Sequence, residues 1–135
     1  MGNDFRNALE QYKKAWCHFS LERLDHFIAA DYQAREIRDG EIVDFGYEES
    51  IKGWREAFAQ LEHQNAEWVI KEIAVFSLKE DEVMAVLYAT LKIDGNPMKA
   101  GNLFFETFKR DCLGRWKRIR SYVETGVQFE RLNKI

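Results

Sequence analysis

The sequence has 135 residues, near the commonest size of a single domain, and its 20 basic and 23 acidic residues give a net charge of −3. Such a balance provides no overall positive field for nucleic acid or an anionic membrane, so neither is predicted as a partner. Four Trp, five Tyr and ten Phe exceed what a minimal core requires. We therefore expect one globular domain over residues 1–135, with aromatic side chains available to line a binding site.

Two features indicate where the protein is expected to work. The opening residues, MGNDFRNALE, lack the positive leader and apolar run of a secretory signal, and no window approaches the length of a membrane span. The two cysteines, Cys17 and Cys112, form neither a disulfide framework nor a CxxC site, so both are predicted to be reduced. These features predict a cytoplasmic protein.

The first part of the chain has helical spacing. Phe5, Leu9, Tyr12 and Trp16 recur at steps of three and four, which predicts an amphipathic helix over residues 4–18. A shorter helix is predicted over residues 21–30, with Ser20 as its N-cap. A third helix is predicted over residues 49–62, although it contains a glycine, and its apolar face holds Ile51, Trp54, Phe58 and Leu61.

Between the second and third helices lies the stretch YQAREIRDGEIVDFG, residues 32–46. Its centre, Asp39-Gly40, predicts a β-hairpin because both central residues of a type I′ turn need positive φ. The direction of Glu36 on the first strand stays open between facing a pocket and pairing with Arg35 or Arg38. Asp44 on the returning strand is the alternative carboxylate.

After the third helix come four strand-like runs, EWVIKEIAVFSL, EVMAVLYATLKI, GNLFFETFK and RWKRIRSYVETGV, separated by turn signals. The predicted order is therefore helix, helix, hairpin, helix and a four-stranded meander. The run 67–78 has apolar residues on both faces, and three helices cover only one face of such a sheet. The other face is predicted to pack on a second copy, which gives a homodimer through the sheet.

No motif for a metal or cofactor is present in the sequence. His18, His26 and His63 have no HxxxH or HxH spacing and no supporting acid cluster, so no metal site is predicted. Gly-rich phosphate loops and the GxSxG motif are absent as well, so the predicted protein has no cofactor.

The order of elements and the words YKKAW, LDHFIAADYQARE, GYEESIKGWREAF and LFFETFKRDCLGRWKRI resemble the nuclear transport factor 2-like superfamily, in particular its SnoaL-like and ketosteroid-isomerase-like branches. The resemblance covers nearly the whole chain. It implies an α+β fold of cystatin-like architecture, a cone of three helices packed on a curved, mostly antiparallel sheet. The open end of that cone is a pocket lined by aromatic side chains. The family includes isomerases, cyclases, dehydratases and noncatalytic binding modules, so the fold does not choose among them.

The resemblance also implies catalytic residues. In ketosteroid-isomerase-like members a tyrosine of the first helix donates to a developing oxyanion, and a carboxylate of the first strand moves the proton. These roles fall on Tyr12 and Glu36, whose chemistry suits them. The third member, a protonated acid on a later strand, falls near Phe104, which cannot donate, and Glu106 lies two residues on along the same strand face.

Alternative roles remain for these residues. Tyr12 is also typical of a core or pocket-wall aromatic. The aromatic residues at helix and strand spacing belong to the core, which in this architecture is continuous with the pocket wall; they are Trp16, Trp54, Phe58 and Phe104. The basic run over residues 109–120 is typical of a solvated hairpin. If Arg118, Arg120, Tyr122 and Glu124 share the inward face, however, Arg120 is placed to clamp a carboxylate or phosphate of a ligand.

The sequence therefore predicts a small-molecule pocket protein of the SnoaL-like type that acts on a largely apolar ligand. Cofactor-free acid/base isomerase, cyclase or dehydratase chemistry through Glu36 and Tyr12 is one form of this hypothesis. The alternative is a noncatalytic ligand-binding or dimeric interaction module. The predicted ligand-binding residues are Trp16, Trp54, Phe58, Phe104, Glu106, Arg120 and Tyr122.

Overall fold

The computed structural model describes residues 2–133 and 135. In that part of the chain, three α-helices pack on one curved, unclosed sheet of seven strands, which confirms the predicted α+β architecture. The helices are α1 (Gly2–Cys17), α2 (Leu21–His26) and α3 (Tyr47–Leu61). The strands are β1 (Ile28–Arg38), β2 (Glu41–Gly46), β3 (Ala66–Lys79), β4 (Glu82–Ile93), β5 (Asn96–Pro97), β6 (Gly101–Arg110) and β7 (Trp116–Val127), followed by a 3-10 turn, Phe129–Arg131.

The sheet has the strand order β2-β1-β7-β6-β4-β3, with the two-residue strand β5 paired to β4. Strands β1 and β7 are parallel and the other pairs are antiparallel. The predicted hairpin and the predicted meander of β3, β4, β6 and β7 are both confirmed. Asp39 and Gly40 have φ of 49° and 80°, the left-handed values that the hairpin turn requires. No helix among the described residues is long and apolar enough to cross a membrane.

The second helix is shorter than predicted. It ends at His26 rather than near residue 30, and the chain enters β1 at Ile28, which pairs with Arg118 of β7. The backbone N–H of Arg118 donates to the carbonyl oxygen of Phe27 at 2.5 Å. Apolar spacing alone did not distinguish helix from strand here, because the partner that favours the strand lies about 90 residues further along the chain.

The core lies between the helices and the inner face of the sheet. Phe5, Leu9, Tyr12 and Trp16 of α1 are all buried, as their spacing predicted. The ring of Phe5 meets the sheet edge-on, with centroid distances of 5.5 Å to Phe108 and 5.2 Å to Trp116. The buried face of α3 contains Ser50, Phe58 and Leu61.

A β-bulge in β7 changes which side chains face the core. Arg118 pairs with Phe108 of β6, whereas Arg120 pairs with the adjacent Thr107, so Ile119 is an extra residue in β7. Trp116 and Arg118 therefore face inward before the bulge. Beyond it the inward positions change parity to Ser121 and Val123, which are also buried.

Because of the bulge, Arg120 and Tyr122 do not share the inward face with Arg118, so the condition for Arg120 to clamp a ligand is not met and neither residue lies where the predicted ligand-binding role requires. The Arg120 side chain is 56% exposed and donates to Glu82 at 3.2 Å. Tyr122 is 39% exposed and bonds to Glu124. A shared inward face would require strict alternation along β7, and a single extra residue moves every following side chain to the opposite face.

Candidate ligand cavity

A cavity of about 540 Å³ lies among α3, the β1–β2 hairpin and the inner face of the sheet. Its lining includes buried residues and exposed charged residues. The buried lining residues, which we call the floor, are Trp16, Tyr32, Ser50, Phe104, Arg118 and Val123. The exposed charged lining residues, which we call the rim, are Arg38, Asp44, Glu49, Lys52 and Glu56. The cavity is therefore mostly apolar and aromatic inside and charged at its entrance.

Trp16 of α1, a residue of the floor, is the centre of an aromatic cluster in the cavity lining. Its ring packs edge-on against Trp54 of α3, Trp68 of β3 and Phe104 of β6, with centroid distances of 5.1, 5.5 and 5.0 Å. The structure thus brings Trp16, Trp54 and Phe104 together in the cavity lining, as the sequence analysis predicted. Phe58 is placed differently, because it lies behind Trp54 and packs on Phe19.

Arg118 is a charged residue in the floor. Its side chain is only 2% exposed, and its Nη1 donates to Glu106 Oε2 at 2.9 Å and to the Tyr12 hydroxyl at 2.7 Å. Its Nη2 donates to Ser50 Oγ at 3.3 Å, and its guanidinium lies 4.5 Å from the ring centre of Tyr32. Through these contacts, Arg118 connects α1, α3, β1 and β6 at the floor of the cavity.

Glu106 is fully buried and balances the Arg118 charge. Its Oε1 accepts from Tyr12 at 2.7 Å, and its Oε2 also accepts from Ser121 at 2.7 Å. The Ser121 hydroxyl in turn accepts from Tyr32 at 2.8 Å. Glu106 was predicted as a ligand-binding residue, but it lies behind the floor and its contacts are with the protein.

This network determines the protonation of Arg118, Tyr12 and Tyr32. Burial alone would lower the pKa of Arg118, but the adjacent Glu106 and the hydroxyls of Tyr12 and Tyr32 raise it, so the guanidinium stays charged. Burial raises the pKa of Tyr12 well above its ordinary value of 10.0, with Arg118 opposing that change and Glu106 adding to it. The pKa of Tyr32 is raised in the same way. Both phenols are therefore neutral hydrogen-bond donors.

The two residues predicted to be catalytic are not brought to one cavity. Glu36 lines the cavity, with its side chain 17% exposed and bonded to Arg38. Tyr12 is absent from the lining, and its hydroxyl is held by Glu106 and Arg118. Asp44, the alternative carboxylate, lies on the rim and forms an ion pair with Arg35 at 2.7 Å.

Arg118, Tyr32 and Trp68 are lining residues that the sequence analysis did not select. A signal for Arg118 was available, because it alternates with Trp116 on a strand whose neighbour carries Glu106 between Phe104 and Phe108. A carboxylate in such an apolar strand face requires a buried partner. No comparable signal pointed to Tyr32, whose hydroxyl bonds to Ser121 of β7, a strand that is distant in the sequence.

Three buried side-chain nitrogens in the described part of the chain have no hydrogen-bond partner. They are Trp16 Nε1, Trp68 Nε1 and Arg118 Nε. All three belong to residues that line the same cavity. Trp116 differs, because its Nε1 donates to Asp4 Oδ2 at 3.0 Å. No group of three or more His, Cys, Asp or Glu side chains in residues 2–133 and 135 is arranged to hold a metal ion.

No protein-family model and no curated protein matches the chain. Solved structures do match. A domain of unknown function with a cystatin-like fold from Nostoc punctiforme superposes with a TM-score of 0.72 at 14% identity, covering 96% of this chain and 80% of that chain. An NTF2-like protein of unknown function from Shewanella oneidensis superposes with a TM-score of 0.70 at 16% identity, covering 91% and 98%.

A third similar structure is a putative calcium/calmodulin-dependent protein kinase type II association domain from Thiobacillus denitrificans. Its TM-score is 0.67 at 17% identity, and the match covers 87% of this chain and 91% of that chain. At these identities the likeness shows the fold. The chain has the NTF2-like, cystatin-like fold that its sequence predicted.

Proposed function

We propose that this protein binds a small, largely apolar molecule in the cavity beside Trp16 and Arg118. The observation that carries the proposal is a buried guanidinium beside the aromatic residues of the cavity floor. Ligand cavities typically combine apolar walls with a few polar groups that orient the ligand, and their volumes are about 300–1,000 Å³. The volume and lining of this cavity agree with both properties.

The Arg118–Glu106 pair supports binding more than it supports simple core packing. Burying an ion pair has a desolvation cost that its Coulomb energy often fails to offset, so apolar residues in the same positions would serve stability as well. A guanidinium in the floor offers something that apolar residues lack, namely a fixed polar group beside aromatic rings. This is the arrangement expected where a ligand must be both enclosed and oriented.

Tryptophan fluorescence provides a direct test. Three of the four tryptophans, Trp16, Trp54 and Trp68, line the cavity, so a bound aromatic compound should change their emission in a saturable way. The protein would be titrated with a panel of small aromatic compounds. In Ala57→Phe, which adds a ring at a lining position of α3, the response should be lost.

Ala59→Phe is the matched control for this experiment. It places the same ring on the same helix at an exposed position outside the lining. Both variants should unfold at nearly the same temperature as the parent protein. The proposal is wrong if no compound gives a saturable response, or if Ala57→Phe and Ala59→Phe retain the same affinity.

Catalysis of the isomerase, cyclase or dehydratase kind is a narrower form of the proposal. It is supported by Glu36, a partly buried carboxylate in the cavity lining and so within reach of a bound molecule. Glu36→Gln keeps the size of the side chain and removes the base. It should abolish turnover of a substrate while the melting temperature stays nearly unchanged, and a large loss of stability would indicate a structural carboxylate instead.

The second candidate function is that of a dimeric interaction module. On β3 the side chains of Ile73, Phe76 and Leu78 are 46%, 50% and 44% exposed, which is apolar surface of the kind that a two-fold interface covers. The similar structure from Thiobacillus denitrificans is described as an association domain, which supports this candidate. We propose that a second copy packs on the exposed apolar residues of β3.

Light scattering tests the dimer. At micromolar concentration the parent protein should have twice the monomer mass of 16.0 kDa, and Phe76→Asp should have the monomer mass. Ile42→Asp is the control, because Ile42 is 62% exposed but lies on β2, at the far edge of the sheet. A monomeric parent protein would exclude this candidate and leave the cavity proposal intact.

A further inference from the structure

The face of the sheet opposite the helices, which we call the outer face, is covered at one end and open at the other. On β4, Ala85 and Leu87 belong to the core, so the alternating residues Met84 and Tyr88 are on the outer face. Tyr88 is nevertheless only 2% exposed, whereas Phe76, which pairs with Met84 on β3, is 50% exposed. Something other than the helices therefore covers Tyr88.

The cover is the end of the chain itself, residues 126–131, which we call the C-terminal turn. Gly126 has φ of 69°, a left-handed value that favours glycine, and β7 ends directly after it at Val127. Phe129 then packs its ring 5.2 Å from the ring of Tyr88. The Tyr88 hydroxyl donates to the carbonyl oxygen of Val127 at 2.7 Å. The turn is thus attached to the outer face at Tyr88.

A cation completes this attachment. Lys71 pairs with Tyr88 across β3 and β4, so it is on the same face, and its ammonium lies 3.8 Å from the centre of the Phe129 ring. Phe129 itself remains 38% exposed. Terminal segments held by such exposed contacts open at a much lower free energy than the core. The C-terminal turn is therefore able to leave the outer face while the domain stays folded.

Release of the turn would uncover apolar surface that continues over two neighbouring strands. The outer-face residues of β4 and β6 around Tyr88 are all uncharged; they are Met84, Val86, Tyr88, Thr90, Leu103, Phe105 and Thr107. A second copy of the chain placed on them meets no like charge and buries no unpaired charge there. Identical chains associate most often by such two-fold pairing of one surface with itself.

We propose that the C-terminal turn controls self-association: with Phe129 on Tyr88 it closes this end of the outer face to a second copy, and when the turn is released a second copy packs there. The inference goes beyond the proposed function, because it does not involve the cavity. It also differs from the dimer proposed through β3, which uses surface that is already exposed.

Phe129→Ser removes the covering ring. Light scattering over a range of concentrations should give about twice the mass of the parent protein, since a two-fold pairing doubles the mass. In dilute solution the variant should also increase the fluorescence of anilinonaphthalene sulfonate, a dye that binds exposed apolar surface. Ile135→Ser is the control, because it removes an apolar side chain that is fully exposed at the end of the chain. It should keep the parent's mass.

Gly126→Ala opens the turn by a different route. A Cβ at Gly126 meets no atom within 4 Å, but its left-handed φ is strained for alanine, so the turn should be displaced while Phe129 remains. Gly114→Ala is the matched control, because Gly114 has φ of 80°, also meets no atom within 4 Å, and lies between β6 and β7, outside the C-terminal turn. Gly126→Ala should associate at lower concentration than Gly114→Ala.

The outcomes do not depend on whether the parent protein is a monomer or a dimer. A mass of Phe129→Ser equal to that of the parent at every concentration would overturn the inference, whether or not more dye binds. Equal association of Gly126→Ala and Gly114→Ala would overturn it as well. A monomeric parent protein would exclude the dimer through β3, yet association of Phe129→Ser would still support the role of the C-terminal turn.

Discussion

Arg118 Nη1 lies 2.9 Å from Glu106 Oε2 in an ion pair whose two side chains are 2% and 0% exposed. The two residues come from neighbouring strands of the sheet, and hydroxyls from α1, α3 and β7 form further hydrogen bonds with them. The pair therefore joins the sheet to two helices at the floor of the cavity. Its energetic importance follows from the cost of leaving either charge alone in the interior.

Glu106→Gln should strongly destabilise the protein. The substitution leaves the Arg118 charge buried without a counter-ion, which typically costs about 3–5 kcal/mol in the free energy of unfolding. Urea denaturation followed by circular dichroism measures this loss. In the control, Asp44→Asn, the exposed pair with Arg35 is lost and the unfolding midpoint should change little. Similar effects of the two substitutions would show that the buried pair is not critical.

Tyr12→Phe should reduce stability without changing ligand affinity. The phenol donates to Glu106 and accepts from Arg118, and removing such a buried group costs about 1–3 kcal/mol. Because Tyr12 is not in the cavity lining, probe binding followed by tryptophan fluorescence should be unaffected. If the variant instead keeps its stability and loses binding or turnover, the oxyanion role predicted from the sequence would be correct.

Stability should fall as the pH rises above about 10. The pKa of Tyr12 and that of Tyr32 are raised in the folded protein by burial, whereas in the unfolded chain both ionise near 10. Above that pH the folded state holds more protons, so each retained proton lowers the free energy of unfolding by up to about 1.4 kcal/mol per pH unit. Below pH 10 Tyr12 and Tyr32 are protonated in both the folded and the unfolded state, so their contribution to the free energy of unfolding is fully present.

Urea unfolding between pH 9 and 11.5 measures this dependence. Tyr12→Phe removes one of the two buried phenols and should make the decline with pH less steep. A free energy of unfolding that stays constant across this range would contradict the proposed protonation of the network.

Two glycines should respond in opposite directions to alanine. A Cβ at Gly101 would lie 2.4 Å from the carbonyl oxygen of Ala89 and 2.8 Å from the ring of Tyr88. Gly101→Ala should therefore cost about 1–3 kcal/mol, because backbone must move. Gly53→Ala meets no atom within 4 Å in the interior of α3 and should stabilise the protein by about 0.5–1 kcal/mol. Thermal unfolding compares the two, and destabilisation by Gly53→Ala would contradict the open space at that position.

Much of the fold follows from local sequence patterns. The spacing of Phe5, Leu9, Tyr12 and Trp16 predicted the buried face of α1, and Asp39-Gly40 predicted the hairpin turn. These features are determined by neighbours within a few residues, so one sequence is enough to predict them. Trp16, Trp54 and Phe104 were assigned to the pocket wall for the same reason together with the family resemblance, and they line the cavity.

The polar part of the site was decided by contacts between distant segments. Ile119 is an extra residue in β7 only because of how β7 pairs with β6, and that pairing directs Arg118 inward and Arg120 outward. Tyr12 belongs to the buried network rather than the cavity because residues about 94 and 106 positions away hold its hydroxyl. Periodicity determines which side chains share a face, whereas register and charge pairing across the sheet determine which of them line the cavity.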